Sequence, residues 1–218
     1  PSYMTAPVPS DSNGLLDASA LPQLRALIQQ ATTVALGPGL GQSPAVAEMV
    51  IALYREVSQP MVIDADGLNA LSGRRDVLPD HVGPRVVTPH PGEFARLVGT
   101  QRPPETSEDR VVAATELAAH ASAVVVLKGH GTVVADGSHH AINTTGNPGM
   151  ATGGTGDVLT GVIAGLLAQS LEPFDAAQLG AYLHGLAGDL AADALGQVSI
   201  IASDLIRYLP EAFQRTHQ

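Results

Sequence analysis

Asn147-Pro148-Gly149-Met150-Ala151-Thr152-Gly153-Gly154-Thr155-Gly156-Asp157 runs directly into Val158-Leu159-Thr160-Gly161-Val162-Ile163-Ala164-Gly165-Leu166-Leu167-Ala168. The first stretch reads as a glycine-rich turn and the second as an apolar helix. A turn of this kind aims several free backbone N–H groups at one point. The helix dipole adds partial positive charge there, so the place suits a phosphate. Asp157 falls in the first turn, beside that anion site. A carboxylate next to a phosphate is electrostatically disfavoured unless it has chemical work, such as taking a proton from an attacking hydroxyl. The plainer reading is a tight loop with Asp157 capping the helix, and the local pattern leaves both open.

Outward from this stretch, short apolar runs alternate with helical periodicity. Thr33–Leu36, Met61–Ala65, Arg85–Thr88 and Ala123–Leu127 read as strands without clean in–out alternation. Helices are expected between them, at Ala45–Val57 with Ser43 as N-cap and Pro44 at its first position, and at 108–121. This is the pattern of a parallel sheet buried on both faces. Thr132–Ala135 and His140–Asn143, joined through Asp136-Gly137, read as an edge hairpin. Residues 1–18 form an irregular lead-in, and Leu21, Leu24, Leu27 and Ile28 recur at helical spacing. Asp157 to Ala194 reads as helical with a break near Pro173, and Ser203–Phe213 as a last helix. One domain over 1–218 is expected, with no repeat or linker. Gly37–Gly41, Asp64–Asn69, Thr88–Glu93, Lys128–Thr132 and Gly153–Asp157 mostly follow strand C-termini, where open parallel sheets bind ligands, so five loops are expected to face one crevice.

The 218 residues are 44% hydrophobic and 15% charged, a globular composition large enough for a substantial core. A net charge of −10 argues against a general nucleic-acid surface. With no cysteine there is no disulfide, thiolate metal site or thiol nucleophile, which is compatible with a cytoplasmic location. No segment has the apolar length of a spanning helix, so no membrane partner is expected, and residues 1–14 lack the pattern of a signal peptide. Gly161 and Gly165 lie four apart on one helix face, an arrangement read here as close packing on a sheet. The chain starts at Pro1 rather than at a methionine, as a piece of a longer polypeptide would.

The segments Ala35-Leu36-Gly37-Pro38-Gly39-Leu40-Gly41, Asp64-Ala65-Asp66-Gly67-Leu68-Asn69, Thr88-Pro89-His90-Pro91-Gly92-Glu93, Leu127-Lys128-Gly129 and Asn147–Asp157 stand in one order and spacing. Together they resemble the carbohydrate-kinase-like domain of the ADP- or ATP-dependent NAD(P)H-hydrate dehydratases, in the ribokinase-like superfamily. The resemblance covers about residues 33 to 169. It implies a ribokinase-like three-layer α/β/α fold with a central, mostly parallel sheet. It also implies metabolite repair of hydrated NADH or NADPH: a nucleotide phosphorylates the C6 hydroxyl of the ring, and phosphate then leaves, restoring the cofactor.

By that resemblance Asp157 is the catalytic base. Gly41, His90 and Asp157 contact the substrate. Lys128, Gly129, His130, Gly131, Thr132, Gly153, Gly154, Thr155 and Gly156 bind the nucleotide, ADP or ATP, which carries Mg2+. No residue is assigned as a metal ligand. His90 stands where related kinases have the asparagine of an Asn-x-x-Glu motif, so Glu93 is either a metal-site residue or a cap of the next helix. Lys128 is alternatively an ordinary solvated lysine, and the roles of Asp64, Asp66 and Asn69 stay open. Family members begin with a strand–loop–helix unit that has no counterpart before Thr33, so an unpaired sheet edge is expected. Homo-oligomers are expected from the family. The alternatives are a small-molecule kinase of the same superfamily and a non-catalytic nucleotide-binding fragment.

Overall fold

Four parallel strands order the molecule: β1 (Val34–Leu36), β2 (Met61–Ile63), β3 (Arg85–Val87) and β4 (Val124–Leu127). The computed structural model describes residues 4–216. The hairpin β5 (Val133–Ala135) and β6 (His140–Ile142) continues the sheet antiparallel, in the order β1-β2-β3-β4-β5-β6. The side chain of Asp136 accepts the N–H groups of Ser138 and His139, which fixes the hairpin turn.

Helices cover both faces. α1 (Leu21–Ile28), α2 (Pro44–Glu56), α3 (Ala65–Leu71), α4 (Pro91–Val98) and α5 (Ser107–Ala121) lie on one side. There Met61, Ile63, Val87, Val125, Leu127 and Val133 pack against Met49, Leu53, Leu68, Leu97 and Leu117. α6 (Thr155–Ala168), α7 (Pro173–Leu195) and α8 (Ala202–Arg215) cover the other face. There Val62, Val86, Val124, Val126 and Val134 meet Leu159, Ile163, Leu167 and Leu183. Alternate residues of each strand thus feed two cores, and each fully buried aliphatic side chain contributes about 1.5–3 kcal/mol. This explains the unbroken apolar strands of the sequence. The expected three-layer, mostly parallel architecture is the one observed.

The outer strands differ from the inner ones. Ala35 in β1 is exposed, as are His140 and Ile142 in β6, whereas β2, β3 and β4 are buried throughout. Ser43 caps α2 by accepting the N–H of Val46, as its sequence position suggests. The loops after β2 and β3 are shorter than the sequence suggests, because α3 starts at Ala65 and α4 at Pro91. One expectation fails outright. Gly161 and Gly165 are exposed, and a Cβ at either would meet open space. They do not serve close packing on the sheet: α6 turns Leu159, Ile163 and Leu167 inward instead.

The charged residue opening β3 is also unforeseen. Arg85 is 1% exposed and has no carboxylate partner among the described residues. Its guanidinium donates to the carbonyls of Tyr54, Val57, Gln59 and Pro84 and lies over the Tyr54 ring. It ties off the C-terminal end of α2, where helix carbonyls lack intrahelical partners. Burial pushes its pKa down to about 10, so it stays charged at neutral pH.

Candidate active site

The loops leaving β1 and β2 are in direct contact. Gly37 has φ +133°, and a Cβ there would stand 1.8 Å from the Asp64 carbonyl oxygen, so no larger residue fits this crossing. Asp66, in the first turn of α3, accepts the N–H of Gly41 at 2.9 Å and the side chains of Gln42 and Asn69. Asn69 accepts in turn from Arg96 on α4. Asp66 therefore binds the first glycine loop to α3 rather than standing free.

The charged centre lies one strand further in. Asp64 is 1% exposed and Glu93 6%. Lys128 Nζ is 2.7 Å from Asp64 Oδ1 and 3.8 Å from Glu93 Oε2. Thr160 Oγ1 donates to Asp64 Oδ2 at 2.8 Å. A Cβ at Gly156 would sit 3.4 Å from Lys128 Nζ and 3.6 Å from Asp64 Oδ2. The ion pair is thus directly under the first turn of α6. Lys128 is no solvated strand-end lysine: its side chain is 19% exposed and is held by two carboxylates.

Above the pair, the glycine-rich turn is braced from three sides. The Thr155 hydroxyl bridges the Met150 and Thr152 carbonyls. Asp189 on α7 accepts from Gly146 N and Asn147 Nδ2. His184, also on α7, bonds the Thr155 carbonyl through Nε2 at 2.9 Å. A carbonyl only accepts, so that nitrogen carries the proton. Burial, with Lys128 nearby and against the Thr155 bond, pushes the His184 pKa down to about 4. The ring is neutral at physiological pH and its Nδ1 is an acceptor. No side chain caps α6, and Gly154 at its N-cap has φ +87°. The first-turn amides are left to a ligand or to water.

A cavity of about 430 Å³ opens at this point. Lys128, Gly129, His130, Gly131, Thr132, Thr155 and Gly156 line it, together with Asn143, Gly146, Asn147 and His184. Gly153 and Gly154 are exposed in the adjoining turn and do not line it. Asp157 is exposed, its side chain makes no hydrogen bond or ion pair among the described residues, and it stands at the head of a groove between α6 and α8. It does not cap α6. Gly41 lies in a separate cleft of about 330 Å³ with Ser43, Asp66 and Asn69. His90 lines neither space. It is the N-cap of α4: its Nδ1 accepts the N–H groups of Gly92 and Glu93, and the Glu93 carboxylate accepts the N–H of His90. Glu93 therefore caps the helix while facing Lys128. His184 was missed because nothing local marks a histidine inside an apolar helix, 29 residues from the carbonyl it binds.

A family model described as NAD(P)H-hydrate dehydratase matches residues 5–211. The bifunctional NAD(P)H-hydrate repair enzyme of Moorella thermoacetica is 49% identical over 95% of the chain. The chain belongs to the NAD(P)H-hydrate dehydratase family. An ADP/ATP-dependent NAD(P)H-hydrate dehydratase from Bacillus subtilis, co-crystallized with ATP and Mg2+ and soaked with CoA, superposes with a TM-score of 0.75 at 38% identity over 84% of the chain. A hydroxyethylthiazole kinase from Pyrococcus horikoshii shares the fold at 16% identity and a TM-score of 0.69. The chain spans 39% of the length of the Moorella protein and 66% of the Bacillus chain.

Mg2+ accompanied ATP in the Bacillus crystals. No group of three His, Asp or Glu side chains that could hold a metal occurs among the described residues. The two buried carboxylates, Asp64 and Glu93, already face the Lys128 ammonium. The site therefore does not fit a metal caged by protein carboxylates; the cation in place there is Lys128. No helix among the described residues is long and apolar enough to cross a membrane.

Proposed function

We propose that this chain dehydrates the S-epimer of hydrated NADH or NADPH at the expense of ADP or ATP. The observation that carries the reading is the uncapped first turn of α6, lying over the Lys128–Asp64 pair beside a cavity of about 430 Å³. Backbone N–H groups and an ammonium converge where a terminal phosphoryl group would sit, and they match charge that grows on its oxygens. Asp157, unpaired on the same turn, takes the proton from the C6 hydroxyl. The hydroxyl oxygen attacks the terminal phosphorus, and the bond to the nucleotide breaks, leaving AMP if the donor is ADP. The C6–O bond then breaks with phosphate as leaving group, and a proton departs from the adjoining ring carbon, restoring the double bond of the reduced nicotinamide. Phosphate leaves far more readily than hydroxide, which is why the reaction uses a nucleotide. Magnesium, entering with the nucleotide, would neutralise charge on the phosphate oxygens.

His90 and Gly41 are proposed on the substrate side, His90 through the exposed part of its ring. Homo-oligomeric assembly is proposed from the family and is checked by light scattering. A small-molecule kinase is the second reading, supported by the shared fold of the thiazole kinase. Incubation with hydrated NADH and ADP or ATP separates them. Recovery of NADH absorbance is expected with one or both nucleotides. Phosphorylation of a vitamin alcohol without such recovery would favour the kinase.

A further inference from the structure

Arg110, on α5, stands behind the loop that follows β4. Its Nη2 donates to the carbonyls of Leu127 at 2.9 Å and Lys128 at 3.2 Å, and its Nη1 donates to the carbonyl of His130. No carboxylate pairs with it among the described residues, and its Nε is buried without a hydrogen-bond partner. Arg110 is only half-buried, and a guanidinium with no counter-charge and an orphaned donor adds less stability than a fully paired one. Burial correspondingly lowers its pKa. What the arginine does here is tie three carbonyls of one loop together and so set its shape.

Gly129, at φ +143°, leaves room for the guanidinium: a Cβ there would lie 3.0 Å from Nη2. In a trans peptide the carbonyl and the following N–H point in opposite directions. With the His130 carbonyl held by Arg110, the N–H of Gly131 is turned away from α5. Gly131 lines the cavity, and its N–H has no partner among the described residues. The Gly129–Thr132 side of the loop is closed by the Thr132 hydroxyl, which donates to the Gly129 carbonyl at 2.9 Å.

We infer that Arg110 is a positioning residue for the nucleotide: by gripping three carbonyls it holds residues 127–131 so that the Gly131 amide faces the phosphates. Its uncompensated charge adds attraction for the same anion. This rests on the nucleotide-dependent reading above.

The test is calorimetric titration of Mg-ADP into the wild type, Arg110→Lys and Arg110→Met, with melting temperatures and Michaelis constants alongside. Lysine keeps the charge but cannot span three carbonyls, so the ADP dissociation constant rises about tenfold. Methionine removes charge and grip together, and the loss is larger. The melting temperature of Arg110→Met falls by no more than a few degrees, because water reaches the exposed side of these carbonyls, the nucleotide KM climbs in both variants, and the hydrate KM is unchanged. Unaltered ADP affinity in Arg110→Lys overturns the inference alone. A variant that fails to fold also overturns it, because the arginine would then be structural. Absence of ADP and ATP binding by the wild type removes the functional reading, and this inference with it.

Discussion

Replacing Lys128 by methionine tests the buried charge cluster. The substitution keeps much of the side-chain length but leaves Asp64, 1% exposed, and Glu93, 6% exposed, without their shared cation. Removing one partner of a buried ion pair costs about 3–5 kcal/mol, because the remaining charge has lost both water and partner. A domain of this size is stable by about 5–15 kcal/mol, so the loss is a large share of the total. At about 2–4 °C per kcal/mol, the melting temperature falls by about 6–20 °C. Adding Asp64→Asn removes one stranded carboxylate while preserving an acceptor for the Thr160 hydroxyl. The double variant should regain most of the lost stability but none of the lost nucleotide affinity. Scanning calorimetry on the four proteins of the cycle gives the coupling. A Lys128→Met loss below about 1 kcal/mol, the range of an exposed pair, would refute the description of this cluster as a buried, coupled unit.

Asp157→Asn should lower kcat by about a hundred- to ten-thousand-fold while nucleotide affinity and melting temperature hold, since the side chain is exposed and unbonded; steady-state kinetics beside ADP titration measures both. Arg85→Met leaves the Tyr54, Val57 and Gln59 carbonyls without their donor and should cost about 3 kcal/mol or more in urea unfolding, with the nucleotide KM unmoved. His184 has its pKa lowered from 6.5 unfolded to about 4 folded, so the unfolded chain takes up this proton first as pH falls. Its contribution is intact above pH 6.5 and is lost on acidification through pH 4, by about 3 kcal/mol in all. Urea midpoints between pH 7 and pH 4 should therefore fall less in His184→Gln than in the wild type.

Much of the fold was legible because its determinants are local. The apolar runs read at Met61–Ala65 and Ala123–Leu127, the Ser43-Pro44 helix start and the Asp136-Gly137 turn each carry their own signal, and each formed, the strands trimmed to Met61–Ile63 and Val124–Leu127. The glycine turn before α6 was legible for the same reason. What escaped depends on contacts between distant segments. Thr160 meets Asp64 across 96 residues and Lys128 meets it across 64, and these distant contacts draw the lysine largely out of solvent. Arg85 sits at the start of a strand, where a charge suggests exposure, yet α2 supplies a ring of carbonyls around it. Gly161 and Gly165 carried a packing signal that the orientation of α6 reversed. His90 shows a subtler limit: the family resemblance marked it as a substrate contact, and nothing in the sequence showed that its Nδ1 caps α4.

The most direct measurement is a crystal structure of the chain with Mg2+ and a non-transferable ADP analogue. The terminal phosphate is expected against the first-turn amides of α6, with Lys128 Nζ within hydrogen-bond reach and the Asp157 carboxylate open on the acceptor side. A nucleotide bound elsewhere, or one whose terminal phosphate leaves the Thr155–Asp157 amides and Lys128 untouched, would contradict the account.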